Sequence, residues 1–154
     1  MEKKTKLEDE LVLFAYMRIN RKIPGMIDAQ RLVKGKSRKT IQRYLDDLQE
    51  CMDFRKMDLR WDSDQIPPHL QFLYRNLFLL NQIMDAANDG IFNHEKYPEI
   101  VDPPRINAAR VQEHYLYELG LDIPLRDVQR DVQICKNLMH EIQEQNSMDD
   151  IWDF

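Results

Sequence analysis

The chain has 154 residues, 43% hydrophobic and 32% charged, a balance that suits one compact globular domain or two small ones. No apolar run approaches the ~20 residues of a membrane-spanning helix, and residues 1–10 are charged, without the apolar stretch of a signal peptide, so a cytoplasmic protein with no membrane partner is expected. The net charge of −5 argues against a general nucleic-acid coat, which would be strongly basic, but it leaves room for a sequence-specific binder with one basic face.

Residues 7–21 read as a first helix, with Leu7, Leu11, Phe14, Ala15 and Arg18 at helical spacing between charged flanks. Ile23-Pro24-Gly25 breaks it. Asp28 is expected to N-cap a short second helix reaching Lys34, with Ala29, Leu32 and Val33 turned inward. Gly35 supplies the tight turn, because glycine takes a positive φ at no steric cost. Ser37 caps a third helix running to about Met52. Phe54, Met57, Leu59 and Trp61 suggest a short β-wing after it. The order is support helix, positioning helix, turn, recognition helix.

Residues 63–68 end in Pro67-Pro68 and mark a boundary between two halves. Pro68 suits the first turn of a long helix carrying Leu70, Leu73, Leu77, Leu80 and Met84. That stripe reads as core, or as a dimer helix given the extra apolar surface of Phe72, Phe78 and Leu79. Asn88-Asp89-Gly90 ends it. Residues 91–105 read as a long loop with Pro98, Pro103 and Pro104. A helix over 107–119 stops at Gly120, and Pro124 opens a last long helix to about Glu144. The expected fold is therefore mainly α. It comprises tandem winged helix-turn-helix units over 1–62 and 63–144, followed by an acidic-aromatic tail over 145–154.

The phrase Ser37-Arg38-Lys39-Thr40-Ile41-Gln42-Arg43-Tyr44-Leu45 recurs, less closely, as Pro124-Leu125-Arg126-Asp127-Val128-Gln129-Arg130-Asp131-Val132. Ile41, Leu45, Leu48 and Met52 map onto Val128, Val132, Cys135 and Met139, on one helical face. The pairs Gln42-Arg43 and Gln129-Arg130 point away from it. Both phrases resemble the N-terminal winged helix-turn-helix of DeoR-type and WYL-domain bacterial regulators, which often carry a phrase such as Ser-Arg-Arg-Thr-Val-Gln-Arg-Asp-Leu. Ser37, Arg38, Thr40, Ile41, Gln42, Arg43 and Leu45 match it, as do Val128, Gln129, Arg130 and Asp131 in the second copy. The second copy departs at Asp127 and Leu125, and the large ligand-sensing domain usual in that family has no counterpart in this sequence.

The resemblance implies binding to double-stranded DNA in the control of transcription, with repression as the default and a homodimer as the usual form. Arg31, Lys34, Lys36, Arg38, Lys39 and Arg43 are cations, and no acid lies between residues 31 and 43. Arg43 and Gln42 would approach base edges, since the arginine fork matches guanine and a glutamine amide can pair with adenine. Arg31, Lys34, Lys36 and Lys39 would grip phosphates, and Ser37 with the helix N-terminus could hold one more. Arg126, Gln129 and Arg130 are the second set, where Asp122, Asp127 and Asp131 would repel phosphates. The plain alternative is a solvated charged face.

Nothing points to an enzyme or a cofactor. His69, His94, His114 and His140 lie far apart with no metal-ligand spacing, and Cys51 and Cys135 read as reduced, buried small hydrophobes. In the tail, Ile151, Trp152 and Phe154 stand among Asp149, Asp150 and Asp153. It looks similar to the acidic C-terminal tips of bacterial single-stranded-DNA-binding proteins, which dock other proteins. The alternative is that its apolar residues pack back onto the protein or a dimer mate. Two rival functions remain: a protein–protein adaptor or inhibitor acting through acidic surface and tail, and a replication initiator or partition protein.

Overall fold

A computed structural model of the chain describes residues 5–56, 58–60, 66–88, 101–102 and 105–146. The fold is mainly helical. Six α-helices, α1 (Lys6–Asn20), α2 (Met26–Leu32), α3 (Arg38–Cys51), α4 (Gln71–Asn88), α5 (Ala108–Leu119) and α6 (Leu125–Asn146), account for most of the described chain. They divide into two compact units, residues 1–60 together with 137–154, and residues 61–136. The expected division assigned all of the last helix to the second half. Here α6 is shared, its residues from Asn137 onward grouping with the first unit.

In the first unit, Thr5 caps α1 by accepting from the Glu8 N–H, and Glu8 and Asp9 sit at the positive end of its dipole. The helix ends at Arg21, which adopts the left-handed conformation at φ 53°. α1 is buried around most of its circumference: Leu11, Leu13, Phe14, Ala15 and Met17 are wholly buried, and Asp9 and Glu10 are nearly so. The single apolar face expected from the sequence is thus too narrow. α1 is a central helix, and its neighbours also cover the acids.

α2 corrects one expectation. Its N-cap is Gly25, which offers no side chain to cap with, and Asp28 lies inside the first turn. There it favours the helix dipole, and its carboxylate accepts from the Tyr16 hydroxyl at 3.4 Å, tying α2 to α1. Gly35 takes φ 82° in the turn. Ser37 caps α3, accepting from the Thr40 N–H at 3.1 Å. Ile41, Tyr44, Leu45, Leu48 and Cys51 form the buried face. The wing is minimal: β1 (Met52–Asp53) pairs antiparallel with β2 (Asp58–Leu59), Met52 opposite Leu59. Phe54 falls in the turn instead of a strand, and Met57 and Trp61 lie outside the described residues.

In the second unit a 3₁₀ turn, Pro68–Leu70, leads into α4. The leucine series is core: Leu70, Leu73, Leu77, Leu80 and Met84 are all buried, and so is Leu79. Phe78 packs on Tyr115 with ring centroids 6.2 Å apart. Of the three residues suggesting a dimer helix, Phe72 alone stays exposed, below the Arg75 guanidinium. Part of the expected loop is paired as β3 (Val101–Asp102) and β4 (Arg105–Ile106); residues 89–100 lie outside the described set. Asn107 caps α5 through the Ala109 and Arg110 N–H groups. Gly120, at φ 68°, closes it with Gly120 N–H donating to Leu116 and Leu121 N–H to Tyr115, the paired bonds that satisfy a helix's last carbonyls.

Candidate nucleic-acid interface

α2, the Gly35 turn and α3 set the geometry of the first candidate surface. Burial of Ile41, Tyr44 and Leu48 fixes the rotation of α3. Its opposite side therefore carries exposed Lys39, Gln42 and Arg43, with Arg38 exposed at its start. Exposed Arg31 and Lys34 precede the turn. Five of the predicted cations thus gather around the N-terminal half of one helix whose first turn holds no acid. Cations at that end oppose the helix dipole, which favours anions there. Sequence economy for α3 alone would not put them there, and a phosphate would relieve the conflict.

Lys36 is a correction. Its ammonium turns inward, 3.7 Å from Asp9, and its side chain is only 17% exposed, so it anchors the turn to α1 instead of facing outward. Ser37 is occupied as a cap, and its hydroxyl also donates to the Thr40 hydroxyl. What remains there for an anion is the helix terminus. Gln42 donates to Asp46 at 3.0 Å, one turn along, which presents its amide oxygen outward.

α1 carries two buried acids that the periodicity did not reveal, Asp9 and Glu10. Lys6 bridges to Asp47 at 3.0 Å. Burial pushes the Glu10 carboxyl up to about 8, the Lys6 charge opposes the shift, and a hydrogen bond to Asp47 adds to it. The shift favours the neutral form of Glu10, whose Oε2 is buried without a hydrogen-bond partner among the described residues. Burial also pushes the Cys51 thiol up to about 12 and raises Cys135 further. Both cysteines are free and buried.

The second candidate set is arranged differently. On α6, Arg126, Gln129 and Arg130 are exposed, and Arg126 lies 3.7 Å from Asp127. Asp131 corrects the sequence reading most sharply. It is wholly buried, not a surface charge that would repel phosphate. Arg75 grips it with two hydrogen bonds, Nε to Oδ2 at 2.7 Å and Nη2 to Oδ1 at 3.2 Å, and the Tyr115 hydroxyl donates to Oδ2 at 3.0 Å. Three helices of the second unit are thereby tied at one carboxylate. Burial, followed by the Asp131 charge, raises the Tyr115 phenol well above its usual range. The equivalent position in the first copy is Tyr44, so the signal lay in the mismatch of the repeat: a polar residue standing where a core aromatic stands.

Ile151, Trp152 and Phe154 lie outside the described residues. Among the described residues no group of histidine, cysteine or carboxylate side chains is placed to hold a metal ion, and no helix is long and apolar enough to cross a membrane. Compared with known proteins, the chain matches no family model, no curated protein sequence and no solved structure.

Proposed function

We propose that the protein binds double-stranded DNA sequence-specifically through α2, the Gly35 turn and α3, and acts as a small transcriptional regulator that represses by occluding its site. One observation carries this reading. Arg31, Lys34, Arg38, Lys39 and Arg43 are all exposed around the start of a helix whose opposite face is core. An α-helix of that form fits the major groove, where Arg43 and Gln42 would meet base edges and the other cations the phosphates. Burial of Asp131 supports a lesser, second contact through Arg126, Gln129 and Arg130, since one acid expected to oppose it is withdrawn from solvent. A homodimer belongs to the reading. The exposed Leu116, Tyr117 and Leu125 give the second unit apolar surface with which to pair.

Selection of bound duplexes from a random pool, with wild type and Arg43→Ala, tests it. The expected result is a defined motif, with Arg43→Ala relaxing one base position and weakening binding by ~1–3 kcal/mol. A palindromic motif supports the dimer, whereas direct repeats point to an initiator. Failure to enrich any duplex overturns the proposal. A second reading, an adaptor or inhibitor working through acidic surface, is favoured by the net charge of −5, and it predicts that failure.

A further inference from the structure

Gln42 and Asp46 lie one turn apart on the outward side of α3, both exposed. The Gln42 amide nitrogen donates to Asp46 Oδ1 at 3.0 Å. Asp46 is the first acid after Asp28, and it stands past the first helical turn, where the dipole no longer favours a negative charge. A carboxylate there repels phosphates, and an exposed pair one turn apart adds only slightly to helix stability. Neither effect accounts for an acid on the surface that carries Lys39, Gln42 and Arg43.

The chemistry of the pair does. A carboxylate only accepts hydrogen bonds, whereas a carboxamide both donates and accepts. Asp46 therefore fixes which way the Gln42 amide is turned: its NH₂ group faces Asp46, and Oε1 is turned away from the carboxylate. One N–H is engaged, and the second remains beside Oε1. The edge left over is an acceptor next to a donor. In the major groove adenine alone offers the complement, its N6 amino donor beside the N7 acceptor. Guanine presents two acceptors there, thymine an O4 acceptor, and cytosine an amino donor with no acceptor beside it.

We propose that Asp46 is a positioning residue for base recognition: by holding the Gln42 amide in one orientation, it makes Gln42 read adenine and reject guanine. The inference rests on the DNA-binding reading and adds to it the base and the residue that enforces the choice. Without Asp46 the amide can turn over and offer its NH₂ group to guanine O6 or thymine O4, so specificity falls while contact persists. The second copy differs at this point. Gln133 stands where Asp46 does, and a carboxamide, able to donate as well as accept, imposes no single orientation on Gln129.

Duplex selection with wild type, Gln42→Ala, Asp46→Ala and Asp46→Asn tests it, followed by affinities for duplexes altered at the position that Gln42→Ala relaxes. Wild type should require adenine there, with guanine at least ~5-fold weaker. Replacing that adenine by 7-deazaadenine, or by purine without the amino group, should weaken wild type and leave Gln42→Ala unmoved. Asp46→Ala should keep its low-salt affinity for unrelated duplex yet lose most of the preference for adenine over guanine. Asp46→Asn, which keeps a carbonyl acceptor without the charge, should restore most of it. Both positions are exposed, and an unchanged circular dichroism spectrum checks that each variant keeps the fold. In the protein without DNA, the Gln42 side-chain amide should exchange protons with water more slowly in wild type than in Asp46→Ala. Equal exchange rates, an adenine preference equal in wild type and Asp46→Ala, or Asp46→Asn behaving as Asp46→Ala, overturns the proposal and leaves DNA binding intact. Absence of binding to any duplex overturns the DNA-binding reading, and this inference with it.

Discussion

Asp131 shows how a single carboxylate can organise a unit. With Arg75 on α4 and Tyr115 on α5 it forms a buried pair plus one neutral donor. The desolvation of two charges offsets much of their attraction, so the pair adds little net stability while either partner alone is costly. Denaturant unfolding of Asp131→Asn and of Arg75→Leu should each show a loss of ~3–5 kcal/mol. Tyr115→Phe should lose ~1.5–3 kcal/mol, the worth of a hydrogen bond to a charged group. The double variant Arg75→Leu/Asp131→Leu should recover part of the single-variant loss. Strict additivity would contradict the coupling. Glu10 gives a second prediction. Its carboxyl binds a proton more tightly folded, near 8, than unfolded, near 4.5. The stability it supports is therefore full below about 4.5 and is lost as pH rises through about 8. Relative to wild type, Glu10→Gln should be progressively more stable as pH climbs across that window, as read from thermal midpoints. Parallel curves would contradict it. Neither acid was legible as buried. Periodicity sorts residues by average polarity, and it cannot register a partner supplied by a helix distant in sequence, as Arg75 is from Asp131.

At the scale of elements the sequence was far more legible, because helix boundaries are written in local chemistry. The Ser37 cap, the Gly35 turn, the Gly120 stop and the Pro68 start depend on the residue itself and its near neighbours. The misread cap was at α2. Asp28 is a good capping residue, but capture by the Tyr16 hydroxyl across the unit places it inside the helix, a tertiary contact overriding a local preference. α1 ends where the sequence places it, with Arg21 as its C-cap. Arg21 adopts φ 53° ahead of the Pro24-Gly25 pair that the sequence marks as the break. A left-handed arginine is strained by roughly 1–2 kcal/mol, and glycine relieves that strain, less its greater unfolded freedom. Arg21→Gly should therefore raise stability by up to ~1 kcal/mol, as measured by the denaturation midpoint. A loss would show that the arginine side chain holds more than the backbone costs. The candidate site follows the same division: exposure of Arg38, Lys39 and Arg43 comes from helical phase, which the sequence fixes locally. The inward turn of Lys36 comes from Asp9, which it does not.

Across the whole molecule, charge is distributed against the average. The chain carries a net −5, yet residues 31–43 hold no acid, and part of the negative charge near them is paired or disfavoured: Asp9 faces Lys36, Asp47 faces Lys6, and burial disfavours the Glu10 charge. That is the arrangement by which an acidic protein can show one face that attracts phosphates while its bulk repels indiscriminate binding. The repeat extends this logic unevenly. The second copy uses the position equivalent to Tyr44 for a buried structural carboxylate, and on its outer face Arg126 lies 3.7 Å from Asp127, so under the proposed reading the first unit supplies most of the affinity.

The most direct test is therefore the salt dependence of duplex affinity for wild type and for Lys34→Ala/Arg38→Ala/Lys39→Ala/Arg43→Ala. Each phosphate contact contributes ~0.9 to the slope of log affinity against log salt. The account predicts a steep negative slope for wild type and a clearly shallower one for the quadruple variant, with the fold unchanged. Equal slopes, or no duplex binding at low salt, would contradict it.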